Sequence, residues 1–224
     1  LIAPFAFLGS AYDRQLKEIY TQYSTKDLIN KQVLAGLLGG NAVSDTKPLA
    51  RLIARYVTRG LMRKIAIEHG KGRRLLVGTT NADEERPVIW DLGRIASQDT
   101  KRSLALLRRV LLASTALPGL FPPVELDGRV LIDGGTANPV PYDVLPDSCD
   151  VVVAVDINSG SSAEPGSVPG YFNTVFGSIQ IMQQAIVDQK LKSRPPDIYI
   201  RPDLSEFRTL HYHRAEEIYE QAES

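Results

Sequence analysis

Cysteine and histidine are scarce in this chain of 224 residues, which holds one cysteine and three histidines. A single cysteine excludes an internal disulfide framework and a cysteine-based metal site. Cys149 has no partner histidine nearby in the sequence, so we interpret its thiol as inert. His211 and His213 lie two residues apart without a third ligand, so we expect no metal and no cofactor. His69 is expected to contact the last carbonyls of its helix.

Long apolar runs and an excess of charge are also absent. No apolar run approaches the about 18 residues that a membrane-spanning helix needs, so no transmembrane segment is expected. The 26 basic and 26 acidic side chains give a formal net charge of zero, which gives no support to nucleic-acid binding. A nucleotide-binding domain is disfavoured as well, because neither Gly-x-Gly-x-x-Gly nor Gly-Lys-Ser/Thr occurs. The apolar share of 43% is that of a folded globular chain.

Apolar residues at helical spacing predict a series of helices along the chain. The predicted helices are Tyr12 to Tyr23, Leu28 to Leu38, Pro48 to His69, one from a cap at Ser97 or Asp99 to Ala116, one around Val175 to Ile186, and Arg214 to Glu223. The helix that ends at Ala116 is apolar on most sides, so we expect it to be buried between other elements.

Short apolar runs between these helices predict strands. They are Leu75 to Thr80, Pro87 to Leu92, Val130 to Ile132, Val151 to Val155 and Ile198 to Ile200. The β-branched run from Val151 is typical of a strand that is covered on both faces in a parallel sheet. Because strands alternate with helices, the sequence predicts an α/β fold with three layers, α/β/α, around a mostly parallel sheet. We see no linker, so residues 1–224 are expected to form a single domain.

Asp133 is the most informative of three strand ends, because open α/β sheets place their sites at the carboxyl ends of strands. A carboxylate that leaves a buried strand is partly desolvated, which raises its pKa and makes it a better base. Gly134 and Gly135 follow, and they allow a positive φ or a close approach of another backbone. Taken alone, this segment reads more simply as a turn. The other strand ends, Thr79 to Asn81 and Asp156, are interpreted as a turn and a helix cap.

The wider segment from Ala113 to Pro141 resembles the patatin-like phospholipase family. A helix ends in small residues and is followed by Pro118-Gly119 and Phe121-Pro122-Pro123, then by Asp133-Gly134-Gly135 and by Asn138-Pro139. The resemblance implies a serine–aspartate dyad that hydrolyses a lipid or another ester. On this resemblance Asp133 is the general base, Gly134 and Gly135 complete its box, and Asn138 is a candidate lining residue of the site.

The nucleophile motif of that family, Gly-x-Ser-x-Gly, is missing from the sequence. Ser10, Ser114 and Ser178 lack the flanking glycines, and the segment from Gly166 to Gly170 has its serine at the wrong position. Leu1 to Phe7 looks like the helix that follows the nucleophile in the family. We therefore expect the N-terminal strands and the serine to lie upstream, the domain to be incomplete at its N-terminus, and residues 1–224 alone to be inactive.

A basic stretch is hidden by the zero net charge. Arg51, Arg55, Arg59 and Arg63 recur every four residues and predict one face of a helix. Residues 51–74 hold eight basic side chains and one acidic side chain, a local charge of +7. This face suits anionic headgroups, but a stripe of this kind is more simply interpreted as a solvated helix surface.

Two further interpretations remain open at this stage. The chain is either an ester hydrolase or a non-catalytic module of the same fold that docks on a membrane or another protein. The loop at residues 158–170 is either a lid over an acyl chain or a surface connection.

Overall fold

The computed structural model describes residues 2–23, 46–157, 171–203 and 214–223. The predicted helix from Leu28, the loop at residues 158–170, and His211 with His213 lie outside the described residues. The chain divides into two compact units, Leu1–Gly134 and Gly135–Ser224.

Helices of the first unit surround its apolar core. They are α1 (Ile2–Leu8), α2 (Asp13–Thr21), α3 (Lys47–Tyr56), α4 (Arg59–Gly70), α5 (Leu92–Ala96) and α6 (Lys101–Ala113). Helix α6 packs against α3 and α5 and against strands of the sheet, while α4 packs against α1 and α5. The side chains that meet there are almost completely buried, among them Ile53, Met62, Ile65, Leu92, Leu107 and Leu131.

The predicted helix from Pro48 to His69 is wrong as a single element, because the chain breaks between α3 and α4. Thr58 is extended, with φ −89° and ψ 168°, and its hydroxyl accepts a hydrogen bond from the Leu61 N–H at 3.2 Å. The Arg108 guanidinium donates to the carbonyl oxygens of Val57 at 2.8 Å and of Ala54 at 3.0 Å. These bonds satisfy carbonyl groups that the end of α3 leaves free, so both sides of the break are stabilised.

The cap of α6 also differs from the prediction. Thr100, not Ser97 or Asp99, begins the helix, in a capping box with Ser103. Ser97 instead ends α5, which is capped by Asp91. The helix is buried along one side, while its residues Leu104, Leu106 and Leu112 are half-buried.

The sheet of the first unit is antiparallel throughout, so the predicted parallel sheet is wrong here. Its strands are β1 (Leu76–Asn81), β2 (Arg86–Asp91), β3 (Val124–Leu126) and β4 (Arg129–Asp133), in the order β2-β1-β4-β3. The physical reason is the length of the connections, since two of them are too short to carry a chain back to the other end of a sheet.

The sharpest connection is the two-residue turn Asp127-Gly128, which joins β3 to β4. Both residues have positive φ, 50° and 74°, as a tight turn between antiparallel strands requires. This dipeptide is a strong sequence signal for a hairpin, and it was the available clue to β3, a strand that the apolar pattern did not predict.

The second unit contains β5 (Val153–Val155), α7 (Tyr171–Ser193), β6 (Ile198–Ile200) and α8 (Ala215–Glu223). Strands β5 and β6 are parallel, which confirms the predicted direction of this pair. The prediction that the Val151 run is covered on both faces is wrong. Ala154 is buried, but Val153 and Val155 are 47% and 53% exposed. The described chain covers one face of the run, so burial alternates along β5.

Every helix in the described ranges falls short of the combined length and apolarity that crossing a lipid bilayer requires.

Candidate active site

Asp133 is the last residue of β4, and its backbone is held on both sides. Its N–H donates to the Ala116 carbonyl at 3.0 Å, and its carbonyl accepts a hydrogen bond from the Thr80 hydroxyl at 2.9 Å. In the strand register Asp133 lies opposite Thr79 of β1. The side chain of Asp133 is half-buried. The fold therefore presents a carboxylate from a fixed backbone at the end of a strand.

Glycine is required at position 134 because the backbone there approaches the backbone of Gly78 closely. A methyl group placed on the Gly134 Cα would lie 2.4 Å from the carbonyl oxygen of Gly78 in β1, far inside van der Waals contact. The glycines with positive φ in the described chain are Gly9, Gly72, Gly119 and Gly128, so a positive φ is not the reason for Gly134 or Gly135. Of the two explanations offered by the sequence, close approach holds for Gly134.

The neighbouring strand end, Thr79 to Asn81, is buried and hydrogen-bonded within the first unit. The Thr79 hydroxyl accepts a hydrogen bond from the Trp90 indole at 2.9 Å. The Asn81 side-chain oxygen accepts from the N–H groups of Asp83 at 3.0 Å and Glu84 at 3.3 Å. The predicted turn is wrong for these residues, which are the last three of β1, but the bonds of Asn81 stabilise the turn that follows them.

Asn138 belongs to a polar cluster in the second unit. Its side-chain oxygen accepts a hydrogen bond from the Lys190 ammonium, and its amide donates to the Asp143 carboxylate at 3.2 Å. The ammonium also donates to Asp143 at 2.7 Å and to the Pro139 carbonyl at 2.9 Å. The Lys190 side chain is 15% exposed, and it is surrounded by acceptors that compensate its lost hydration. These bonds fix the chain that follows the Asp-Gly-Gly box.

Sequence reasoning missed the donors that α7 and the residue after it contribute to this segment. Gln183 donates to the Gly135 carbonyl at 2.9 Å, and Arg194 donates to the carbonyls of Asp143 at 3.1 Å and Leu145 at 3.2 Å. Gln183 and Lys190 are seven residues apart, which places them on one face of α7, and Arg194 follows the last residue of the helix. That spacing of long polar side chains beside buried Val187 was the available signal.

Asp156, the third strand end, is fully buried and accepts a hydrogen bond from the Tyr199 hydroxyl at 2.7 Å. The Arg201 guanidinium lies 4.0 Å from the same carboxylate oxygen. Burial, together with the hydrogen bond to Asp156, raises the pKa of Tyr199 to about 12. The pair thus links β5 to β6 through a neutral phenol.

The four arginines do not form one helix face, which corrects the sequence prediction. Arg51 and Arg55 lie on α3, whereas Arg59 and Arg63 lie on α4 beyond the break. The Arg59 guanidinium donates to the carboxylate of Asp99 at 2.9 Å and to its carbonyl at 2.8 Å, and Arg63 donates to the carboxylate at 3.0 Å. The two hydrogen bonds to its carboxylate, from Arg59 and Arg63, lower the pKa of Asp99 below its ordinary value.

His69 also contacts other groups than predicted. Its Nδ1 lies 3.7 Å from the Asp91 carboxylate rather than at the last carbonyls of α4. Its ring packs on Gly93, where a methyl group would lie 2.3 Å from Nδ1. The interaction therefore joins the end of α4 to the start of α5.

Comparison with known proteins identifies the family. The family model for patatin-like phospholipases matches residues 1–146, a range that includes Asp133. The chain belongs to the patatin-like phospholipase family.

Curated relatives are similar over parts of the chain. Lysophospholipase NTE1 of Saccharomyces cerevisiae is 29% identical over 134 residues, which are 50% of this chain and 8% of that protein. Lysophospholipase NTE1 of Kluyveromyces lactis is 30% identical over 135 residues, or 50% and 9%. An uncharacterized NTE family protein of Mycobacterium bovis is 44% identical over 54 residues, or 24% and 15%. The chain thus spans a small part of each relative.

Replacing Gly134 by alanine should destabilise the first unit by about 1–3 kcal/mol, because the new methyl group meets a backbone oxygen that has no room to move. Gly78→Ala is the matched control, since its methyl group would meet Ile89 at 3.7 Å and Gly134 at 4.0 Å, both ordinary contacts. Urea unfolding, followed by the fluorescence of Trp90, the one tryptophan of the chain, measures both. Equal losses in the two variants would contradict this account.

The ion pairs of Asp99 with Arg59 and Arg63 should make the free energy of unfolding depend on pH. Since Arg59 and Arg63 lower the folded pKa of Asp99, its charged form stabilises the fold above the ordinary aspartate pKa of about 3.9. Asp99→Asn should therefore lower the free energy of unfolding at pH 7, and the difference from wild type should shrink as the pH falls below that value. Asp127→Asn, in the exposed turn before β4, is the control. A difference that stays constant with pH would show that the carboxylate charge is not involved.

Proposed function

We propose that this chain forms part of a lipid acyl hydrolase in which Asp133 is the general base of a serine–aspartate dyad. The observation that carries the proposal is the placement of Asp133 at the end of β4, on a backbone held by Ala116 and Thr80. Membership of the patatin-like phospholipase family supports it, as do relatives that are named lysophospholipases.

The chemistry of such a dyad needs two groups and no cofactor. A serine hydroxyl attacks the acyl carbonyl of the ester while the Asp133 carboxylate accepts its proton, and the alcohol leaves with that proton. A water molecule then attacks the acyl-serine, with Asp133 again acting as base, and the fatty acid is released. Because Gly-x-Ser-x-Gly does not occur in residues 1–224, we propose that the serine is supplied from outside them. On this proposal residues 1–224 form one incomplete domain.

Asp133→Asn in the complete gene product should lower the rate of hydrolysis of lysophospholipid and of p-nitrophenyl esters by about 10²- to 10⁴-fold, the usual contribution of a general base. The amide keeps the shape of the side chain but loses its basicity. Asp127→Asn, which alters an exposed turn of the same hairpin, should retain wild-type rates. Wild-type rates in Asp133→Asn would refute the assignment of the base.

A fluorophosphonate probe tests the source of the nucleophile in the same experiment. It should label the complete gene product and leave residues 1–224 unlabelled. Labelling of residues 1–224 alone would show that they contain the reactive serine.

A second candidate function is docking on an anionic membrane surface. Arg51 and Arg55 are exposed, and neither meets a carboxylate among the described residues; Arg55 donates to the Tyr23 hydroxyl at 3.2 Å. Arg59 and Arg63, by contrast, are engaged by Asp99. We therefore propose that α3 supplies the attraction to anionic lipid headgroups, in support of either a catalytic or a non-catalytic role.

The double variant Arg51→Gln/Arg55→Gln should weaken binding to vesicles that contain phosphatidylserine by about tenfold or more at low salt, given about 1 kcal/mol for each basic residue near the surface. Arg59→Gln/Arg63→Gln is the matched control and should weaken binding less. Co-sedimentation with the vesicles measures both. An equal or larger effect of the control pair would exclude α3 as the docking face.

A further inference from the structure

We propose that Thr80 is a positioning residue for Asp133, which it holds through a hydrogen bond to the backbone of the aspartate. This inference rests on the proposed function of Asp133. It goes further by naming a group, outside the family's aspartate and glycine box, on which the rate of the reaction depends.

The geometry concerns the peptide group between Asp133 and Gly134. Its oxygen accepts a hydrogen bond from the Thr80 hydroxyl at 2.9 Å. Its other end is fixed by the close packing of Gly134 on the Gly78 carbonyl. Both contacts come from β1, two residues apart, so one strand holds this peptide group at two points. The peptide group on the other side of Asp133 is held by the Ala116 carbonyl.

A fixed backbone determines where the carboxylate can lie. When the peptide groups before and after Asp133 are held, the direction of its Cα–Cβ bond is set, and few side-chain conformations remain. Catalytic groups must lie within about 0.5 Å of their working positions, and a displacement of about 1 Å can cost up to 100-fold in rate. The Thr80 hydroxyl therefore acts on the reaction through position and touches neither the substrate nor the proton.

The sheet itself does not require a hydroxyl at this position. Thr80 lies opposite Pro87 on one side and Ile132 on the other, within a strand that valine would suit equally well in shape. Thr80 is 5% exposed, and a hydroxyl in such a place is costly unless it is hydrogen-bonded. The hydroxyl bonds the carbonyl of Asp133, the proposed base, which follows Ile132, the residue opposite Thr80 in β4.

Ser103 provides an internal comparison. It is 1% exposed, and its hydroxyl belongs to the capping box of α6, where it accepts a hydrogen bond from the Thr100 N–H at 2.9 Å. Removing either hydroxyl deletes a buried hydrogen bond, but Thr80 is the one that bonds the Asp133 carbonyl. Thr79 would not serve, because it lies opposite Asp133 in the register and its side chain therefore points to the same face as the carboxylate.

The experiment compares Thr80→Val, Thr80→Ser and Ser103→Ala in the complete gene product, on a soluble p-nitrophenyl ester. Thr80→Val should lower kcat by about 10- to 100-fold with little change in KM, because ground-state binding does not use the dyad geometry. Thr80→Ser keeps the hydroxyl and should retain most of kcat. Ser103→Ala should lose comparable stability in thermal unfolding but keep kcat. Should Thr80→Val fail to fold, Thr80→Ala serves as the variant without a hydroxyl.

Each outcome supports or overturns the positioning role of Thr80. The variant Asp133→Asn tests the proposed function of Asp133 separately. Wild-type kcat in a folded Thr80 variant without a hydroxyl overturns the positioning role, as does a loss in Thr80→Ser as large as that in Thr80→Val. An equal loss of kcat in Ser103→Ala assigns the effect to stability and also overturns it. Wild-type activity in Asp133→Asn refutes the function of Asp133 itself, whatever the threonine variants show.

Discussion

The contact between β1 and β4 is the constraint on which the candidate site depends. Gly134 meets the Gly78 carbonyl without room for a side chain, and Thr80 bonds the carbonyl of Asp133. Buried backbone polar groups must be paired, because an unpaired one would cost about as much as a lost hydrogen bond. Asp133 is therefore restrained through both of its peptide groups, one bonded by Thr80 and the other by Ala116.

The hydrogen bonds that hold the chain after Asp133-Gly134-Gly135 differ in kind from those that hold Asp133 itself. In the first unit, neutral backbone and hydroxyl groups hold Asp133. In the second unit, charged donors of α7, chiefly Lys190, hold the chain from Asn138 to Asp143. Hydrogen bonds with a charged donor are stronger than those between neutral groups. Charged donors thus hold the chain after the Asp-Gly-Gly box, and neutral groups hold the aspartate at its start.

Patterns between neighbouring residues of the sequence predicted most of the helices and strands. The features that were missed depend on contacts between residues that lie far apart in the sequence. The strand before Asp133 and the pairing of the first two strands followed from apolar runs and were confirmed. The prediction of the sheet's direction was wrong because two pairs of its strands, β1–β2 and β3–β4, follow each other without a helix between them. The Asp127-Gly128 turn carried that information in two residues. The arginine pattern was periodic across Thr58, yet the backbone was not, since Thr58 caps a new helix.

Only the part of the candidate site that is local in the sequence was predicted. Asp133 and its glycines are adjacent in sequence, so a motif could identify them. Thr80 lies 53 residues from its acceptor, and Lys190 lies 52 residues from Asn138. Neither contact follows from a spacing in the sequence, because both depend on the fold. The importance of Gly134 was visible, but its reason, the Gly78 carbonyl, depended on the pairing of β1 with β4.

The antiparallel arrangement also has a consequence for the order of folding. The turns that join β1 to β2 and β3 to β4 are local, and hairpins of this kind form within about 1–10 μs. Pairing of β1 with β4 instead closes a long loop and must recover the chain entropy lost on closure. We therefore expect the two hairpins to form before they join. Asp133 would then acquire its surroundings in a late step, when the chain has already formed most of its local structure.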